Sequence, residues 1–170
     1  MGELRYRDQS EICEVVRRFE TCDYTPEEFF HARHLTVACW YLNAASRELA
    51  LLRMRSGLMR FISHHGKQGY NETITRFWME LLGDFLEQHG GDDPVLKINE
   101  AIARFGTKEI LFTYYTRERA LSETAKRNWV EPDLRRLRVN ADGVMCAEKI
   151  SETTTSAKNA AQGARKHIKV

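Results

Sequence analysis

Between residues 74 and 86 the chain carries apolar side chains at Ile74, Phe77, Trp78, Leu81, Leu82, Phe85 and Leu86. Steps of three and four residues stack on one face of an α-helix, so these seven positions form a single broad stripe. A stripe this wide and this aromatic has to be covered by neighbouring elements. The same period recurs along the chain. Ser10 to Glu20 places Ile12, Val15, Val16 and Phe19 on one face, and a later stretch places Leu51, Met54, Leu58 and Phe61. After Gly90-Gly91, the run Asp92-Asp93-Pro94 is a helix start, followed by Val95, Ile98, Ile102 and Phe105.

The stretch from Thr25 to Asn43 reads as the central helix. Thr25 can cap it, Pro26 fits the first helical position, and Glu28 stands where a capping-box carboxylate reaches back. Tyr24 and Phe29 occupy the two positions of a hydrophobic staple. On the resulting wheel His31 and His34 share a face with Leu35, Ala38 and Leu42 and point toward the core. A break is expected near Asn43 to Arg47, because an unbroken helix to Ile62 would outgrow so small a domain.

His64 to Asn71 (HHGKQGYN) reads as a loop. Lys108 to Tyr115 suits a helix or a short strand; helix is preferred because no partner strand is evident elsewhere. Ser122 to Trp129 is one more helical piece, closed by Val130-Glu131-Pro132 because the residue before proline avoids the helical region. After about residue 140 the apolar period fades into Ala, Ser, Thr, Lys and Gly. The expected architecture is all-α: an antiparallel bundle of about five to seven helices over residues 8–138, with a weakly structured, flexible tail over 139–170.

Composition limits function. A chain of 170 residues, 42% hydrophobic and 29% charged, suits one globular domain. Its 26 basic and 24 acidic residues leave a formal charge of +2, too balanced to point to nucleic acid. No apolar run nears the roughly 20 residues that cross a bilayer. The opening MGELRYRDQS lacks the apolar core of a signal peptide, and Tyr6 breaks the myristoylation pattern that Gly2 would begin. Cysteines at 13, 22, 39 and 146 show no metal-knuckle spacing and read as reduced thiols. A cytoplasmic protein is expected.

The HxxH pair His31 and His34 is the one chemically suggestive feature. Residues three apart on a helix can reach one metal ion, although the same pair also serves as hydrogen-bonded structure. A metal needs further ligands. Asn71, extrapolated back along the stripe, falls on its buried side while Glu72 falls nearly opposite; a helix cap and a first-turn acid are the plainer explanation of the two. His65, and with it His64, could swing in from the loop, and Glu27 lies one turn before His31. Glu72 and Tyr41 are the acid/base candidates. Arg117, Arg119, Lys126 and Arg127 make a basic patch that fits an anion or a solvated face.

Three segments, FHARHLTVACWYL, GYNETITRFW and NWVEPDL, together resemble a family of uncharacterised, mostly bacterial, all-helical proteins that carry HxxHL, GYHETIT-like and VEPDL-like segments in that order. The resemblance spans about residues 25 to 137 and implies a helical bundle. It also implies a three-histidine site of His31, His34 and residue 71, which is usually histidine in the family and is Asn71 here.

Two functional expectations follow. One is a divalent-metal-dependent enzyme (zinc, iron, manganese or nickel) acting on an unknown small molecule in a pocket of His31, His34 and Asn71. The other is a non-catalytic bundle that binds a ligand or a partner protein, with structural histidines. The Phe77–Phe85 stripe would serve a homodimer interface as well as a monomer core.

Overall fold

The computed structural model of the protein describes residues 4–137, and these form the expected all-α bundle. Its main helices are α1 (Gln9–Glu20), α2 (His31–Ala44), α3 (Arg47–His64), α4 (Glu72–Gln88) and α5 (Pro94–Phe105). A 3₁₀ segment (Lys108–Thr113) and two short helices, α6 (Arg117–Ala120) and α7 (Glu123–Arg127), complete it. The tail expected over 139–170 lies outside the described residues.

Helix α4 is the axis of the packing. It touches α2, α3, α5 and α7, so it is buried well beyond its aromatic stripe. Phe77, Leu81, Leu82 and Phe85 face one side, while Glu72, Thr75, Met79, Gly83 and Leu86 are buried on another. Local signals place the remaining helices. Asp8 caps α1 through the Glu11 N–H at 3.1 Å, Ser46 caps α3 through the Leu49 N–H, and Asp93 caps α5 ahead of Pro94. α1 ends with Cys22 in the left-handed region (φ 59°) and with the Asp23 N–H returning to the Arg18 carbonyl, a closure that glycine more often supplies.

The start of α2 departs from expectation. The capping box does form: the Thr25 N–H reaches Glu28 Oε2 at 2.9 Å and the Glu28 N–H reaches Thr25 Oγ1 at 3.2 Å. Yet it closes one turn only. Phe30 is extended (φ −82°, ψ 173°), and the helix begins at His31 with no side-chain cap. The extended step lets Phe29 enter an aromatic cluster, stacked on Phe19 at 4.7 Å and tilted against Phe61 at 5.1 Å, while Phe30 stays exposed. Burial of one ring outweighs continuation of one helical turn.

The break between α2 and α3 falls where expected. Of the stretch from Lys108 to Tyr115, Lys108–Thr113 is helical, wound as a 3₁₀ segment. Of Ser122 to Trp129 only Glu123–Arg127 is helix, preceded by the short Thr116-capped α6. The VEPDL segment is clasped onto this region: Asp133 accepts from Thr116 N–H and Oγ1, and Tyr115 Oη donates to the Val130 carbonyl. At the other end Tyr6 is held by Asn99, whose amide bonds both its N–H and its carbonyl at 2.8 Å. Among the described residues no helix is long and apolar enough to cross a membrane.

Candidate functional site

One cavity of about 710 Å³ opens between α2, α3, α4, the 3₁₀ segment and α6. Leu35 and Ala38 of α2, Met54, Leu58 and Ile62 of α3, Ile74, Trp78 and Met79 of α4, and Leu111 and Phe112 give it largely apolar walls. Few polar groups break that lining: His31, His34, Tyr70, Asn71 and Thr75, with Lys108, Glu109 and Arg117 exposed at the mouth. A small molecule of drug-like size fits such a volume and such walls.

The two histidines are set by backbone carbonyls. His31 Nε2 lies 3.0 Å from the carbonyl oxygen of Phe105, and its ring stands edge-on to Trp78 at 4.6 Å. His34 Nδ1 lies 3.2 Å from the carbonyl oxygen of Phe30, and its ring packs over Phe29 at 4.1 Å. A carbonyl can only accept, so each bonded nitrogen carries the proton. Burial lowers the pKa of His31 and pushes His34 down to about 4, so both rings are neutral at physiological pH. The other nitrogens, His31 Nδ1 and His34 Nε2, make no hydrogen bond with the described residues and are not sealed from solvent. Each therefore presents an unprotonated lone pair on a residue of the cavity wall.

Of the expected site residues, His31, His34 and Asn71 come to this one cavity. Asn71 is committed at both ends of its amide. Its Oδ1 caps α4 by accepting from the Ile74 N–H at 2.9 Å, and its Nδ2 donates to the Ala120 carbonyl at 2.9 Å. His64 and His65 stack edge to face on one another, with His65 against Phe61, and neither lines the cavity. Among the described residues no three His, Cys, Asp or Glu side chains converge into a metal-binding group.

The acid/base candidates lie elsewhere. Tyr41 faces α1, where its hydroxyl donates to Glu20 Oε1 at 2.9 Å, and burial raises its pKa. Glu72 does not project away from the core. It is buried against α3, bound by Arg55 through both carboxylate oxygens and by Tyr70 Oη at 2.6 Å. The Arg55 guanidinium holds its carboxyl below the usual range, which suits a fixed anion rather than a proton shuttle. Buried Cys39, pushed up to about 12, is inert as a nucleophile.

Lys108 and Glu109 escape any sequence reading of the site, because nothing in the pattern brings residue 108 beside residue 31. Comparison with known proteins adds no assignment: no protein-family model, curated protein or solved structure matches the chain.

Proposed function

We propose that this bundle binds a small, mostly apolar molecule in the cavity and orients it by hydrogen bonds to the two open imidazole nitrogens. The observation that carries this reading is the pairing of apolar walls with His31 and His34, both neutral and both turned by a carbonyl so that an acceptor remains free. An acceptor in an apolar setting selects a ligand that brings an O–H or N–H donor, since an unpaired group there would lose about 1–3 kcal/mol. Phenylnaphthylamine, apolar with one N–H, is a suitable probe. Its fluorescence should rise on binding with one-to-one saturation, weaken in His31→Phe and His34→Phe, and vanish in Leu58→Trp, which fills the cavity. Absence of saturable binding, or binding indifferent to all three changes, would overturn the proposal.

A second reading rests on the same carbonyl contacts. Metal-binding histidines commonly donate their other N–H to a backbone carbonyl, and position 71 is usually histidine in the family that the chain resembles. A divalent-metal-dependent enzyme would then use His31 and His34, with further ligands from water or substrate. Elemental analysis of untagged protein beside His31→Ala, His34→Ala and Asn71→His decides it. Near-stoichiometric metal in the parent, lost in the two alanine variants, supports it. Metal bound only by Asn71→His, or by none, removes it for this chain.

A further inference from the structure

The charges at the cavity mouth say more about the occupant. We infer that the ligand is an apolar anion, its acidic group placed between Lys108 and Arg117; this inference rests on the cavity being a binding site. Lys108 is the first residue of the 3₁₀ segment and Arg117 the first of α6; both are exposed, and both line the cavity. The Arg117 guanidinium lies over the Phe112 ring at 4.1 Å, which holds it at the mouth.

Neither cation is neutralised by another described residue. Arg47, Arg55 and Arg76 on the neighbouring helices α3 and α4 are each paired with a carboxylate. Lys108 and Arg117 make no ion pair and no side-chain hydrogen bond among the described residues. Glu109 is the one acidic side chain in the lining, so the mouth carries two positive charges against one negative. Further in, the lining adds no cation: both imidazoles are neutral, and the Tyr70 hydroxyl is turned to Glu72. An anion therefore meets its attraction at the rim, while the apolar body continues past Phe112 toward Trp78.

The test compares two probes that differ in one group: phenylnaphthylamine and its sulfonated counterpart, anilinonaphthalene sulfonate. With the full chain at low salt, the sulfonate should bind about five- to tenfold more tightly, the range expected of two partly exposed charge contacts. Rising salt should erode that advantage. The double variant Lys108→Met, Arg117→Met should bring the ratio of the two affinities to about one, and Glu109→Gln should enlarge it. Both variants change exposed side chains, and circular dichroism confirms their fold. Equal affinities for the two probes, or a preference that survives the double variant, would overturn the anion assignment while leaving the cavity reading intact. Failure of both probes to saturate would overturn both.

Discussion

His31 Nε2 and the Phe105 carbonyl oxygen stand 3.0 Å apart, joining the first residue of α2 to the last residue of α5. The contact ties two helices, fixes the imidazole tautomer, and leaves Nδ1 without a partner among the described residues, on a residue that lines the cavity. One ring thus serves both a helix–helix contact and the proposed binding site, and its protonation makes both sensitive to pH.

Burial holds His34 at about 4 and lowers His31 in the same sense, against an ordinary imidazole value of 6.5. The unfolded chain therefore binds more protons than the folded one between these values. Stability contributed by the neutral rings is complete above about pH 6.5 and is lost as pH falls toward 4. His34 alone should account for about 2 kcal/mol between roughly pH 7 and pH 5. Glu72, held below its ordinary range by Arg55, loses its contribution only at lower pH. Urea unfolding across the window should show this slope in the parent and a much flatter one in His34→Phe.

Asn71→Ala should destabilise the fold by about 1–2 kcal/mol, since it removes a helix cap and the clasp on the Ala120 carbonyl. Asn71→Asp separates the two roles. It keeps the cap but turns a carboxylate oxygen toward Ala120, so it should fall below the parent despite suiting the helix dipole. Equal stability of the Asn71→Asp variant and the parent protein would show that the clasp contributes nothing.

Thr73 is fully buried, donates to the Asn128 carbonyl at 2.7 Å and accepts from the Val130 N–H at 3.0 Å. Thr73→Val preserves shape and strands both backbone groups, for a loss of about 2–3 kcal/mol. Hydrogen exchange at Val130 should accelerate more than exchange in α1.

Gly57 lies inside α3, where alanine would ordinarily gain up to about 1 kcal/mol. Here a Cβ would meet Phe19 Cε1 at 2.6 Å, and that ring is fully buried and stacked on Phe29. Gly57→Ala should therefore destabilise by about 1–3 kcal/mol. A raised melting temperature would mean that Phe19 yields.

Much of the fold is written in local period: Phe77, Leu81 and Phe85 announce α4, and Asp93-Pro94 announces α5. Where the reading strayed, nonlocal packing decided. The Thr25–Glu28 capping box is real but cannot say how many turns follow, because the pull on Phe29 comes from Phe19 and Phe61. A wheel for α4 alone puts Glu72 outside, yet α3 covers that side and supplies Arg55. The histidines were legible as inward-facing, and Asn71 as either cap or cavity residue. Lys108 and Glu109 were not, since a cavity assembled from residues 31 to 121 leaves no mark in any one segment.

Long-range proton–nitrogen spectra of the imidazoles report whether His31 and His34 offer acceptor nitrogens to a bound molecule. Near neutral pH His31 should be protonated on Nε2 and His34 on Nδ1, and the two unprotonated nitrogen signals should move when phenylnaphthylamine is added. Opposite tautomers, or open-nitrogen signals that stay fixed at saturating probe, would mean that these nitrogens do not hold the ligand.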